Sequence, residues 1–326
     1  MACCDQKISN QINYSALKIK ENKKIMSGRV NTKKDTNLSL SRASIIDVFI
    51  VLWITFLCLT CILPFAHLIA KSLSSYRALI SNEVILWPVE ITLSNYNRVI
   101  DSSIMVPQMI YTIWITLATT AAGLIVNSFA AYPLSKRYLP GRYPLTLFFM
   151  ITMYFNAGLI PTYVHYSRLG LIDTPWVLIL PLAFSAYNML IMRTFFANSI
   201  PEELEEAARV DGASHYRIFA QIWCPLSMPV YATIALWVAV GRWNTYGDAL
   251  WFTTSRNLQP LQLFLFRLVR SQQESFDLDP MTTTQIHAPE GLQAAAIMFT
   301  TIPILLVYPF LQRFFVKGVT LGSVKG

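Results

Sequence analysis

Few side chains of this chain are placed to do chemistry, and none of them forms a catalytic constellation. There is no HExxH, no cluster of histidines and no activated nucleophile. No glycine is followed by lysine, so the phosphate-cradling loop of a nucleotide hydrolase cannot be built from this sequence. Cys58-Leu-Thr-Cys61 matches CxxC, but it lies in an apolar stretch without a second pair, so it reads as packed or lipid-facing sulfur. The ionisable groups in apolar surroundings remain, and these are costly there. Arg242 and Asp248 stand six residues apart in one apolar stretch, which on a continuous helix sets them on different faces. Arg193 comes late in another stretch. Arg242 can line a polar path and meet an anionic solute, or it can neutralise a carboxylate elsewhere in a helical bundle. The densest charge is the run Glu202, Glu203, Glu205 and Glu206, just ahead of Ala207-Ala208-Arg209-Val210-Asp211-Gly212.

The elements that must carry these residues follow from hydropathy. The chain is 54% hydrophobic and 13% charged, far from the balance of a soluble domain, and its apolar residues gather in long blocks. Crossing about 30 Å of hydrocarbon takes about 20 helical residues. Six blocks meet that length, at 45–70, 106–134, 145–166, 176–196, 230–252 and 293–315. The expected fold is all-α, a polytopic membrane protein with six transmembrane helices. It divides into a basic tail (1–44), a first span with an external loop (45–104), a five-helix transmembrane domain (105–315) and a short C-terminal tail (316–326). Nine of the 26 basic residues precede the first block, which places both termini in the cytoplasm. The tail is too polar to fold on its own, and its basic charge suits anionic lipid better than nucleic acid. Met26 is an alternative start, no cleavable signal peptide precedes the first span, and Cys58, Cys61 and Cys224 do not suit a disulfide framework. Two external segments are long, 71–105 and 253–290; in the second, 257–265 reads as a surface helix.

The internal loop 197–229 has strong helix grammar. Ser199-Ile-Pro-Glu202 fits a capping box, with the Ser199 hydroxyl accepting from the Glu202 amide and Pro201 in the first turn. The four glutamates favour the positive end of the helix dipole. Gly212 ends that helix with a positive φ, Ser214 caps a second helix to about Ile222, and Pro225 and Pro229 stop it. Two short helices about a glycine turn make a knob suited to docking in a cleft of another protein, or else a loop that covers the bundle.

Glu206-Ala207-Ala208, three residues, Gly212, nine residues, Ile222, one residue, Cys224 and Pro225 resembles the EAA motif of binding-protein-dependent ABC importer permeases. Leu is usual where Cys224 stands, a departure in the exit of the second helix. Phe155-Asn-Ala-Gly-Leu-Ile-Pro-Thr-Tyr163, Gly241-Arg-Trp-Asn244 and Gly322-Ser-Val-Lys-Gly326 resemble the MalG-like branch of carbohydrate importers, above all its members for complex or acidic polysaccharide fragments. The resemblance runs from about residue 45 to the end and implies the type I ABC importer permease fold. It further implies that Glu206, Ala207, Ala208, Asp211 and Gly212 belong to a coupling helix seated in an ATPase subunit. Small side chains at Ala207 and Ala208 permit close approach, and Glu206 meets a basic residue there. The implied assembly adds a second homologous permease, two ATPase subunits that bind the ATP and Mg, and an external sugar-binding protein. This chain itself is expected to hold no cofactor and to catalyse nothing.

Sugar paths combine aromatic faces with amides and hydroxyls, which makes Tyr154, Asn156, Trp243, Asn244 and Tyr246 candidates beside Arg242. Each has the alternative of bridging neighbouring helices, as do Asn127 and Asn188. The passenger is expected to be an oligosaccharide, with an acidic one as the refinement that Arg242 suggests. Two other classes stand against this reading: an ABC permease for another solute, and a secondary transporter without ATPase partners. A membrane enzyme has no motif to support it.

Overall fold

A computed structural model of the chain describes residues 45–276 and 290–323, with side chains placed over 46–270 and 290–309. The basic tail, its alternative start and the last residues lie outside this range. Among the described residues all regular structure is helical. The chain divides into two compact units, 1–62 and 63–326.

Helix α1 (Ile45–Ser72) begins in the first unit. From Ile46 to Ile62 its side chains are exposed, Phe49, Trp53 and Phe56 among them. There Thr60 Oγ1 donates back to the carbonyls of Phe56 and Leu57, both at 2.9 Å. Such a helix suits hydrocarbon, where a free hydroxyl would be costly.

The second unit holds the last ten residues of α1 and then α2 (Tyr76–Ile80), α3 (Ser94–Asp101) and α4 (Met105–Ser135). After these come α5 (Arg142–Thr152), α6 (Leu159–Arg168), α7 (Trp176–Ala183) and α8 (Ala186–Ser199). The remainder is α9 (Glu202–Val210), α10 (His215–Leu226), α11 (Met228–Asn244), α12 (Gly247–Phe252), α13 (Leu261–Phe276) and α14 (Glu290–Ser323). Helix α4 is the axis of the unit, packed along α7, α8 and α11. One core gathers Leu134, Met189, Met192, Phe196, Trp223, Ile234 and Val238 from α4, α8, α10 and α11. Other cores join α4 to α7, α12 and α13, and α3 to α14.

Three helices are each long and apolar enough to cross a membrane, and two bent pairs raise the number to five if each pair is one span. The pairs are α7 with α8, bent by 42°, and α10 with α11, bent by 79°. The expected count of six therefore differs from what the helices themselves provide. The block at 145–166 is two short helices, because Gly158 takes φ +83° and its amide donates to Asn156 Oδ1 at 2.8 Å, turning the chain between them. The expected surface helix at 257–265 is also corrected. A 3₁₀ turn at Arg256–Leu258 leads into α13, whose Leu261 and Leu263 are fully buried. The first amide of α13 is satisfied inside the bundle, Leu261 N donating to Thr112 Oγ1 at 2.8 Å.

The break between α7 and α8 frees backbone groups that no water can reach in a membrane. Asn127, fully buried on α4, takes both. Its Nδ2 donates to the Ala183 carbonyl at 3.0 Å, and its Oδ1 accepts from Ser185 N at 3.1 Å. Asn127 is thus a helix bridge. Asn127→Leu should strand both groups and cost about 1–3 kcal/mol, read as a lower thermal midpoint of the purified protein, whereas Asn127→Gln should recover part of the loss.

Candidate functional site

The acidic run folds as expected in type but not in its start. A residue before proline is driven from the helical region, and Ile200, at φ −116° and ψ 119°, obeys that rule. Ser199 therefore closes α8, and Pro201 becomes the N-cap of α9 with no side-chain oxygen to offer. The expected capping bond from Ser199 to Glu202 is absent for this reason. Glu202, Glu203 and Glu205 in the first turn meet the positive helix end by charge instead. The far end matches expectation. Gly212 has φ +78°, and the amides of Asp211, Gly212 and Ala213 donate to the carbonyls of Ala207, Arg209 and Ala208 at 2.9–3.1 Å. Ser214 caps α10, its Oγ accepting from Arg217 N at 3.4 Å.

Pro225 does not stop α10. A π turn over Phe219–Trp223 widens the ladder just ahead of it, where a proline has no amide to give, and the helix runs on to Leu226. The break comes at Ser227. Cys224 is half-buried with Sγ 3.4 Å from the Tyr231 hydroxyl.

Glu205 is the member of the run that turns inward, 5% exposed. It forms an ion pair with Lys136, which is 6% exposed and caps the end of α4. The Lys136 ammonium also lies over the Trp223 ring, 3.3 Å from its centroid, and 4.3 Å from that of Tyr132. Arg209 closes the group from one turn along α9, with Nη2 2.7 Å from Glu205 Oε1 and 2.5 Å from the Tyr138 hydroxyl. Tyr138 itself donates to Glu205 Oε1 at 3.2 Å. Burial pushes the Glu205 carboxyl up, but the hydrogen bond and charge of Lys136, followed by those of Arg209, outweigh burial and hold it below its ordinary value. Burial lowers Lys136, and its bond to Glu205 only partly opposes that. An outer pair, Arg137 with Glu202 at 3.4 Å, is exposed on both sides and contributes little.

With Glu205 turned inward, Glu206 and Ala207 face out, as do Asp211 and Gly212, while Ala208 packs half-buried against the core. Val210, 88% exposed, and Tyr216, 78% exposed, extend this surface with apolar area that the motif did not single out. The i,i+4 spacing of Glu205 and Arg209 was a legible sign of pairing. Nothing in the sequence marked Lys136 as buried.

The polar-path candidates do not share one environment. Arg242 is 1% exposed and forms a bidentate pair with Asp248. Its guanidinium also donates to the carbonyls of Leu178 at 3.2 Å and Thr245 at 3.1 Å. The expectation that Arg242 and Asp248 lie on different faces fails because the helix ends at Asn244 and resumes at Gly247, folding the carboxylate back onto the guanidinium. Arg242 is thus engaged within the bundle. Trp243 is buried in a core, whereas Asn244 is exposed and donates to the Val240 carbonyl at 2.9 Å. Tyr246 stacks on Phe266 at 4.5 Å between centroids. Tyr154 and Asn156 are exposed in the link between α5 and α6. Arg193 donates from Nε to the Leu134 carbonyl at 3.0 Å, capping the end of α4.

A family model described as binding-protein-dependent transport system inner membrane component matches residues 96–321, a range that contains α4, the paired Lys136 and Glu205, and the whole α9–α10 knob. The chain belongs to this family. It is a membrane permease component. Among its relatives is the polygalacturonan/rhamnogalacturonan transport system permease protein YtcP of Bacillus subtilis (strain 168), 39% identical over 281 residues that cover 86% of this chain and 98% of the relative. Protein LplC of the same organism is 40% identical over 266 residues, covering 81% and 90%. Among solved structures, a chain of a bacterial ABC transporter involved in the import of the acidic polysaccharide alginate aligns with a TM-score of 0.76 at 31% identity, covering 84% of this chain and 97% of that one.

The depressed Glu205 carboxyl sets a pH dependence. Its contribution is fully present above the ordinary carboxylate value of about 4.3 and is lost as pH falls through the lower folded value. Hydrogen exchange of the α9 amides should therefore keep its protection down to about pH 4.3 and lose it below. Glu205→Leu should remove the main counter-charge of a buried ammonium at a cost of about 3 kcal/mol and open α9 to exchange at neutral pH.

Proposed function

We propose that this chain is one of two permease subunits of an ATP-driven importer that moves oligosaccharides across the bacterial cytoplasmic membrane by alternating access. The observation that carries the reading is α9. It is a short acidic helix ended by a left-handed glycine, held to the bundle on one side by Glu205 and presenting Glu206 and Ala207 on the other. Such a surface suits docking in a basic-rimmed cleft of a separate ATPase subunit, with Glu206 as the charged contact and Ala207 permitting close approach. ATP and Mg would be bound there. Closure of the two ATPase subunits would bring the two coupling helices together and rock the spans between inward-facing and outward-facing states.

The basic tail supports cytoplasmic termini and a cytoplasmic 197–229 loop. With α5 and α6 as a broken crossing, the spans number six. An external sugar-binding protein would deliver the passenger. The refinement to an acidic oligosaccharide no longer rests on Arg242, whose charge is spent on Asp248. It rests on the similar proteins, one a permease of polygalacturonan/rhamnogalacturonan transport and another from a transporter involved in the import of the acidic polysaccharide alginate. Of the path candidates, Tyr154, Asn156, Asn244 and Tyr246 keep an exposed side chain for a sugar.

Glu206→Lys should reverse the docking charge and reduce uptake about tenfold or more, with insertion in the membrane unchanged; wild-type uptake would remove the docking role. At Gly212 an added Cβ meets no atom within 4 Å, so the cost of substitution is conformational. Gly212→Val should cost about 1–3 kcal/mol and impair uptake more than Gly212→Asn, which tolerates the left-handed region. Mass spectrometry of the ligand that copurifies with the external binding protein should return uronate-containing fragments. A non-sugar ligand would overturn the carbohydrate assignment, and a complex without ATPase subunits would overturn the energy source.

A further inference from the structure

Resting on the docking reading, we infer that Lys136 is the joint through which movement of α9 reaches α4, a positioning residue of the transport cycle and not merely a packed cation.

The contacts of α9 lead to this assignment. A nine-residue helix without a side-chain cap holds little stability of its own. The chain joins it to α8 through only Ile200 and Pro201, which are extended, so a push on α9 passes poorly along the backbone. The outer Arg137–Glu202 pair is exposed on both sides and holds α9 weakly by comparison. Lys136 differs in every respect. Its backbone continues α4, its amide donating to the Pro133 carbonyl at 3.1 Å. Its ammonium is paired to Glu205 of α9 and lies against Trp223 of α10 and Tyr132 of α4. One side chain thus ties the axis of the bundle to both helices of the knob, with 7% of it exposed.

A buried pair of this kind is poor value as a stabiliser, since two well-packed apolar groups of similar volume often serve as well. It is directional, however, and two helices so joined move as one body. Helix α4 packs on α7, α8 and α11, so displacement of its end reaches most of the second unit.

The test uses the whole complex purified with its ATPase subunits, in a background without native cysteines. A reporter cysteine replaces Ile110, which is 63% exposed in the second turn of α4, near the end opposite Lys136. Labelling by a membrane-impermeant maleimide is measured with and without ATP plus orthovanadate. Wild-type Lys136 and Lys136→Arg should both show an ATP-dependent change of about fivefold or more. Lys136→Met, and the double variant Lys136→Met with Glu205→Leu, should lose the change while still holding ATPase subunits that hydrolyse ATP. The double variant leaves no unpaired glutamate, so it separates loss of the joint from misfolding.

A wild-type response in Lys136→Met overturns the proposal. So does an absent response in the wild type, and so does failure of both uncharged variants to assemble, which would leave Lys136 a structural role alone. A Glu206→Lys complex measured in parallel tells the two readings apart. If it keeps its ATPase subunits and its uptake, docking fails whatever Lys136 does; if it loses them, docking stands and the Lys136 variants decide the joint.

Discussion

In hydrocarbon a broken helix has no water to satisfy its freed backbone groups, and this requirement organises most of the bundle. Three discontinuities are served by long polar side chains from a neighbouring or adjoining segment. Asn127 takes the carbonyl of Ala183 and the amide of Ser185 where α7 gives way to α8. Arg193 covers the Leu134 carbonyl at the end of α4. Arg242 covers Thr245 and Leu178 where α11 gives way to α12. Each satisfies named backbone groups where a span bends or ends. The bends then set the positions of the surface groups, so these satisfied breaks come before any function.

The same requirement sorts the charges. Arg242 can be buried because Asp248 returns to it across the break, and that return removes it from service as an open contact for an anionic passenger. Lys136 can be buried because Glu205 and two aromatic faces receive it. Glu206, one residue further, has no such partner among the described residues and stays on the surface. Neighbouring glutamates on one turn therefore serve opposite ends. One holds the helix to its own bundle and the next is available to another protein.

The motif and the knob were legible from residue types: a glutamate run at a helix start, two alanines, a glycine with a left-handed φ and a serine cap at fixed offsets. The start of α9 was misread because the capping-box pattern spans a pre-proline residue, and the backbone restriction at Ile200 prevails over the side-chain signal of Ser199. The block at 145–166 reads as one helix because hydropathy does not distinguish one helix from two joined at Gly158. The separation of Arg242 from Asp248 was misread for the opposite reason. Helical spacing was applied across residues 245–246, where the helix does not continue.

By itself the sequence determined that this is a helical membrane protein, with a loop at 197–229 of recognisable helix grammar. Those properties follow from composition, from block length and from local rules spanning a few residues. Tertiary structure alone decided which charges are joined. Lys136 and Glu205 are 69 residues apart, and Asn127 lies 56 from the carbonyl it satisfies. No local pattern records a pairing over that distance, because it exists only once α4 has packed against the helices that follow it.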